Sequence, residues 1–148
     1  MSKAIDQGAT DLPLLEETIG ANLEATVARH GDCEAFVVPH QAIRQTWREF
    51  NATVDQVAKG LMAAGIETGD RIGMWSPNYA EWTYVQYATA KIGAIQVNVN
   101  PAYRTSELEY ALNQSGCRML VARTEYPTPK YKEMVESVRP TLSHQIGR

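Results

Sequence analysis

The sequence predicts an α/β fold, with a mainly parallel sheet flanked by helices and an N-terminal β-hairpin before it. Three observations lead there. Gly65-Ile66-Glu67-Thr68-Gly69-Asp70-Arg71-Ile72-Gly73-Met74-Trp75-Ser76-Pro77-Asn78 ends a helix, turns, runs a short buried strand and opens a second helix. A continuous helical stripe lies just before it. From Arg71 onward, three strand-then-helix units of about 23 residues each fit a strand, a helix and two short loops. Right-handed crossovers lay such units side by side in one parallel sheet.

Residues 1–17 are small and polar around Asp11-Leu12-Pro13-Leu14-Leu15, a flexible leader whose leucines can dock. Thr18 begins a helix carrying Ile19, Leu23 and Val27, and His30-Gly31-Asp32 ends it. Residues 34–38 read as a strand, Pro39-His40-Gln41-Ala42 as a turn, and residues 43–47 alternate at period two, so a hairpin is expected. Thr46-Trp47-Arg48-Glu49 is a capping box, in which the hydroxyl accepts from the Glu49 N–H and the carboxylate from the Thr46 N–H. Phe50, Val54, Val57, Ala58, Leu61 and Met62 then form one apolar stripe on a helix over 47–64.

The first strand-helix unit runs from 71–75 to a helix over 78–92, capped by Ser76 or Asn78, with Trp82, Val85, Thr89 and Ile92 on one face and Gly93 after it. The second runs from 94–99 to a helix over 105–114. There Ser106-Glu107-Leu108-Glu109 offers a capping box, Leu108, Ala111 and Leu112 face inward, and Gly116 is the stop. The third strand spans 117–122, and a last helix over 131–138 is broken by Pro140. Trp75, Tyr79, Trp82, Tyr84 and Tyr87 read as packing, some of them against another part of the protein.

At 148 residues and 44% apolar composition the chain suits one domain with a real core. A net charge of -3 gives no reason to expect nucleic acid. The basic residues near the C-terminus, such as Arg118 and Lys132, alternate with Glu125, Glu133 and Glu136 as on a solvated face. No run of 18 apolar residues spans a membrane, and the N-terminus lacks the order of a secretory signal. Cys33 and Cys117 lack partner motifs and read as reduced, structural thiols, so a cytoplasmic protein is expected. Asn51-Ala52-Thr53 and Asn113-Gln114-Ser115 match the glycosylation pattern, but both fall in predicted helices and are set aside.

Several motifs fail on physical grounds. Gly60-Leu61-Met62-Ala63-Ala64-Gly65 has the glycine spacing of a phosphate loop, yet Ile66-Glu67 follow and the glycines sit at a helix C-terminus, the wrong end of the dipole. Neither a dinucleotide fingerprint nor a nucleophile elbow occurs. His30, His40 and His144 have no metal-ligand spacing and read as surface residues. Ser76 follows a strand, as a nucleophile can, but helix capping explains it. Asn98 and Asn100 alternate with Val97 and Val99 at the carboxyl end of a predicted strand, the edge where open α/β sheets gather ligands. Tyr103 and Arg104 share that loop. The plainer reading, preferred here, has Asn100-Pro101 as a turn and Asn98 satisfying nearby backbone.

Four segments carry a family resemblance: Thr46-Trp47-Arg48-Glu49-Phe50, Gly65 through Asn78, Lys91-Ile92-Gly93-Ala94-Ile95, and Asn100-Pro101-Ala102-Tyr103-Arg104-Thr105-Ser106-Glu107-Leu108. In this order and spacing they resemble the N-terminal part of the AMP-forming acyl-CoA synthetases, closest to the fatty-acid–CoA ligase branch, from about Thr18 to Pro140. The resemblance implies a two-step reaction using ATP, Mg²⁺ and CoA. A carboxylate attacks the ATP α-phosphate to give an acyl-adenylate and pyrophosphate, and CoA thiolate then displaces AMP. The family's Ser/Thr/Gly-rich phosphate loop has no counterpart here. Thr128-Pro129-Lys130 is a decoy, since Tyr131 follows it. No catalytic, cofactor or metal residue is therefore carried over.

The expectation is an N-terminal scaffold fragment, residues 18–148 forming the first subdomain of a ligase truncated naturally or by engineering, and inactive alone. Its partners would be the remainder of the ligase or another ligase subunit, with fatty acid bound by the full-length enzyme. An unpaired sheet edge predicts self-association. The rivals are a stand-alone acyl-binding or assembly module without catalysis, and a small doubly wound enzyme with its own site at Asn98, Asn100 and Tyr103.

Overall fold

A computed structural model describes residues 7–123 and 131–141. In chain order its elements are α1 (Ile19–His30), β1 (Glu34–Val38), a 3₁₀ turn (Pro39–Gln41), β2 (Ile43–Thr46), α2 (Trp47–Ala63), β3 (Arg71–Trp75), α3 (Ala80–Ile92), β4 (Ile95–Asn98), α4 (Thr105–Ser115), β5 (Met119–Ala122), α5 (Tyr131–Val138) and a second 3₁₀ turn (Arg139–Thr141).

β1 and β2 form the expected antiparallel hairpin, with Val38 opposite Ile43 and a bulge between Glu34 and Phe36. The other strands form one parallel sheet in the order β4-β3-β5. Arg71 pairs with Ile95 on one side of β3, and Ile72 with Met119 on the other. The central strand is buried from Ile72 to Trp75, which accounts for its unbroken apolar run. Side chains alternate across the sheet and split the core in two. Ile72 faces Leu23, Phe50, Val54, Tyr84 and Ala88 from α1, α2 and α3. Trp75 faces Leu108, Leu112, Tyr131 and Val138 from α4 and α5.

Local signals set most boundaries. The Thr46 box closes as the sequence requires, with the Thr46 N–H donating to Glu49 Oε2 at 2.8 Å and the Glu49 N–H to Thr46 Oγ1 at 3.3 Å. The Thr46 N–H, together with the Thr46 hydroxyl donating to the same oxygen at 3.0 Å, holds the Glu49 carboxyl below its ordinary range. Thr18 caps α1 by accepting from the Ala21 N–H at 3.1 Å. Gly93 and Gly116 end α3 and α4 in the left-handed conformation, at φ 72° and 63°. Lys91 joins three helices: its Nζ donates to Asp55 Oδ1 at 2.6 Å, to Asn51 Oδ1 at 2.7 Å and to the Glu24 carboxylate. Burial alone would pull this ammonium down, but the bonds and charges of Asp55 and Glu24 outweigh it and hold Lys91 above the usual lysine range.

Several expectations need correction. Met62, placed on the apolar stripe of α2, is 59% exposed, one residue from the end of the helix. Residues 7–17 form no helix or strand, and Leu12, Leu14 and Leu15 remain exposed rather than docked. α3 begins at Ala80, not Asn78, and neither Ser76 nor Asn78 caps it; Gln41 does. At α4 the bond runs from the Arg104 N–H to Glu107 Oε2 at 2.8 Å, so the box is displaced from Ser106. Cys33 is exposed and only Cys117 is buried, so the core holds one thiol. The Thr128-Pro129-Lys130 decoy and His144 lie outside the described residues. Among the described residues no helix is long and apolar enough to cross a membrane.

Candidate functional site

The neighbouring strands β3 and β5 are followed by helices on opposite faces of the sheet, α3 on one and α5 on the other. The crevice between β3 and β5 is therefore the switch point, and ligands of open α/β sheets collect outside the strand ends there. A cleft of about 590 Å³ occupies that position. Met74 and Val121 form its floor, Ser76 and Arg123 follow the two strands, Tyr79 and Glu81 come from the start of α3, and His40 and Gln41 come from the hairpin turn.

The cleft's polar groups hold one another. The Arg123 guanidinium lies 4.0 Å from the centre of the Tyr79 ring, a cation–π contact. The His40 ring meets Tyr79 edge-on at 5.1 Å. Gln41 Nε2 donates to Glu81 Oε2 at 2.9 Å. Ser76 is buried, and its hydroxyl donates to the Pro77 carbonyl at 3.0 Å. This lining suits a ligand with an apolar body and a polar end.

Asn98, Asn100, Tyr103 and Arg104 lie elsewhere, at the end of β4. The structure brings the last three together in one loop but not into the cleft. Asn98 is exposed and accepts from Gln96 Nε2 at 2.9 Å. Asn100 Oδ1 accepts from the Ala102 N–H at 2.9 Å, closing a local turn. The Asn100 carbonyl accepts from Trp75 Nε1 and from the Tyr103 N–H, both at 3.0 Å. Tyr103 packs against the Trp75 cluster, and Arg104 is exposed. The expected turn at Asn100-Pro101 thus accounts for the carbonyl and side-chain oxygens of Asn100. Sequence reasoning missed His40, Tyr79 and Arg123 as a group. The one signal available was that Arg123 directly follows a predicted strand, and using it required the strand order.

A triphosphate with its metal needs a Gly/Ser/Thr loop, a lysine and oxygen ligands. The cleft offers one guanidinium and a carboxylate already engaged by Gln41. No group of three His, Cys, Asp or Glu among the described residues could hold a metal. The described residues do not fit that group.

The comparisons with known proteins agree with this architecture. The model of the AMP-binding enzyme family matches residues 23–146. The mouse medium-chain acyl-CoA ligase ACSF2, mitochondrial, from Mus musculus, is 43% identical over 136 residues, which are 92% of this chain and 22% of that protein. The chain thus spans about a fifth of that relative's length. The fold is similar to that of the fatty acyl CoA synthetase of Mycobacterium tuberculosis, with a TM-score of 0.69 and 30% identity, covering 71% of this chain and 21% of that one. The N-terminal domain of FACL13 from the same organism aligns with a TM-score of 0.77 and 26% identity, covering 87% of this chain and 32% of that one. The motifs read from the sequence, the parallel sheet and the family match converge, and this chain belongs to the AMP-binding enzyme family.

Proposed function

We propose that residues 18–148 are the first α/β subdomain of an AMP-forming fatty-acid–CoA ligase, with residues 1–17 as a leader. It serves as the platform on which the ligase's nucleotide and acyl machinery is mounted. The reaction is that of the family: carboxylate and ATP give an acyl-adenylate, and CoA displaces AMP. The observation that carries this reading is the 43% identity over 92% of the chain to an acyl-CoA ligase. The cleft supplies one guanidinium, Arg123, but no lysine and no Gly/Ser/Thr loop to cradle a triphosphate. The chain alone is therefore inactive, and ATP, Mg²⁺, CoA and fatty acid engage the whole ligase. Asn98 and Arg104, exposed at the end of β4, together with Asn100 and Tyr103, contribute a contact surface for the remainder of the enzyme.

The test is an assay of the purified 148-residue protein with ATP, CoA and fatty acids of graded length. No AMP release above background is expected. Turnover of about 1 s⁻¹ or more, in the range of ordinary enzymes, overturns the proposal. A second reading, an acyl-binding module without catalysis, is favoured by the cleft. It predicts saturable binding of a fluorescent fatty acid to the isolated chain and a reading frame that stops at Arg148. Cytoplasmic residence belongs to the main proposal. The name of the mouse relative, mitochondrial, supplies the alternative that cell fractionation decides.

A further inference from the structure

The loop that leaves β4 is held from beneath by two buried aromatic donors. The Val99 N–H still follows the sheet, donating to the Met74 carbonyl at 3.0 Å. The next two carbonyls are each taken by a side chain from the α4–α5 face. Trp75 Nε1 donates to the Asn100 carbonyl at 3.0 Å, and the Tyr131 hydroxyl donates to the Pro101 carbonyl at 3.0 Å. Both rings are fully buried and meet edge-on at 4.2 Å. The loop then closes on itself, since the Asn100 carbonyl also accepts from the Tyr103 N–H and its side-chain oxygen from the Ala102 N–H.

The two donors come from distant parts of the chain. Trp75 ends β3, and Tyr131 opens α5, 30 residues after Pro101. A buried indole or phenol needs a partner for its polar tip, but packing alone does not say which. Here both tips reach one surface loop, on which Asn98, Asn100, Ala102 and Arg104 are all exposed. Water can satisfy carbonyls on such a loop. Bonding them to the core therefore fixes the loop's shape rather than rescuing its polar groups. Pro101 has a fixed φ and restricts Asn100 before it, so two anchored carbonyls at this dipeptide set where the chain turns toward α4. The loop stands at the carboxyl end of β4, the edge where open α/β sheets meet their ligands.

From these bonds we infer that Tyr131 is a positioning residue for the ligase reaction. Through the Pro101 carbonyl it pre-sets the β4–α4 loop, the surface this subdomain offers where substrate is held against the remainder of the enzyme. The inference rests on the reading of this chain as part of a longer AMP-forming ligase, and it gives Tyr131 itself no contact with substrate. An anchored loop is ordered before substrate arrives. A released loop must be ordered on binding, which weakens binding and leaves the chemical step alone. The worth of one neutral hydrogen bond bounds the effect at about three- to tenfold.

Tyr131→Phe tests it, because the change deletes the hydroxyl and keeps the ring. In the 148-residue chain the Ala102 and Tyr103 amides, both bonded within the loop, should exchange about three- to tenfold faster than in wild type, while the Val99 amide keeps its rate. In the polypeptide carried to its natural stop codon, the KM for ATP, CoA or fatty acid should rise by the same factor, with kcat within about twofold. Val138→Ala thins the same cluster but removes no hydrogen bond to the loop, and it should leave all three KM values unchanged. Unchanged exchange in Tyr131→Phe overturns the inference. Three unmoved KM values, a fall in kcat alone, or an equal KM rise in Val138→Ala also overturn it, the last because it marks a general loosening. A wild-type polypeptide that forms no acyl-CoA sinks the ligase reading and the role in the reaction with it, while exchange still decides whether Tyr131 holds the loop.

Discussion

Gln41 caps a helix that begins 39 residues after it. Its side-chain Oε1 accepts from the Ala80 N–H at 2.7 Å, while Nε2 donates to Glu81 Oε2 at 2.9 Å. The residue at the N-cap position, Tyr79, makes no side-chain bond to the helix. The hairpin turn thus supplies what the local sequence does not.

Gln41→Ala should therefore destabilise the protein although the residue lies on a surface turn. The Ala80 N–H is buried and loses its acceptor, at a cost of about 1–2 kcal/mol. Glu81→Ala, which spares that bond, should cost clearly less. Urea denaturation of the two variants makes the comparison.

Lys91→Met should cost about 1–3 kcal/mol, between the values for exposed and for buried ion pairs, because Asp55 and Glu24 lose their shared cation. The pH dependence has a definite sign. The folded pKa lies above the unfolded one, so this stabilisation is complete below the unfolded lysine value of roughly 10.4 and is lost as pH rises through the folded value. The stability gap between wild type and Lys91→Met should narrow above that pH. A gap that stays constant from pH 8 to 11 would falsify the assignment.

Gly93→Ala and Gly69→Ala should separate strain from steric fit. Both glycines have positive φ, 72° and 87°, and each alanine should cost about 1 kcal/mol from backbone strain alone. At Gly93 an added Cβ also meets Thr68 Cγ2 at 2.9 Å, whereas at Gly69 nothing lies within 4 Å. Gly93→Ala should be the more destabilising, and thermal melts of the pair settle the order.

Trp75→Phe should weaken the packing beneath α5. Trp75 is fully buried, stacks edge-on with Tyr131 and donates to the Asn100 carbonyl. Losing the indole N–H should cost about 0.5–1.5 kcal/mol. Trp75→Ala should cost about 3–5 kcal/mol. Limited proteolysis should cut near α5 faster in both.

The features legible in the sequence were the short-range ones. The Thr46–Glu49 box, the stripe of α2 and the glycine stops of α3 and α4 each depend on residues a few positions apart, so spacing alone reveals them. The three parallel strands were legible because each apolar run is followed by a helical pattern. Strand order was not, since crossovers with β4 on either side of β3 look alike in a linear chain. That gap hid the cleft. His40, Tyr79 and Arg123 come from a turn, a helix start and a strand end, and no periodicity joins them. Asn98 and Asn100 do follow a local pattern, and their side-chain oxygens accept bonds from their own strand or loop, as the plainer sequence reading expects.

The hairpin and the parallel sheet share no main-chain ladder. Side chains fasten them instead: Gln41 on α3, Gln45, which accepts from the Tyr84 hydroxyl at 2.8 Å and donates to Thr53 Oγ1 at 3.0 Å, and Phe36, whose ring meets Tyr84 edge-on at 5.5 Å. One wall of the cleft is consequently held by side-chain contacts while the opposite wall is fixed by backbone. A substitution in the hairpin can therefore reshape that wall of the cleft while leaving the register of the parallel sheet untouched.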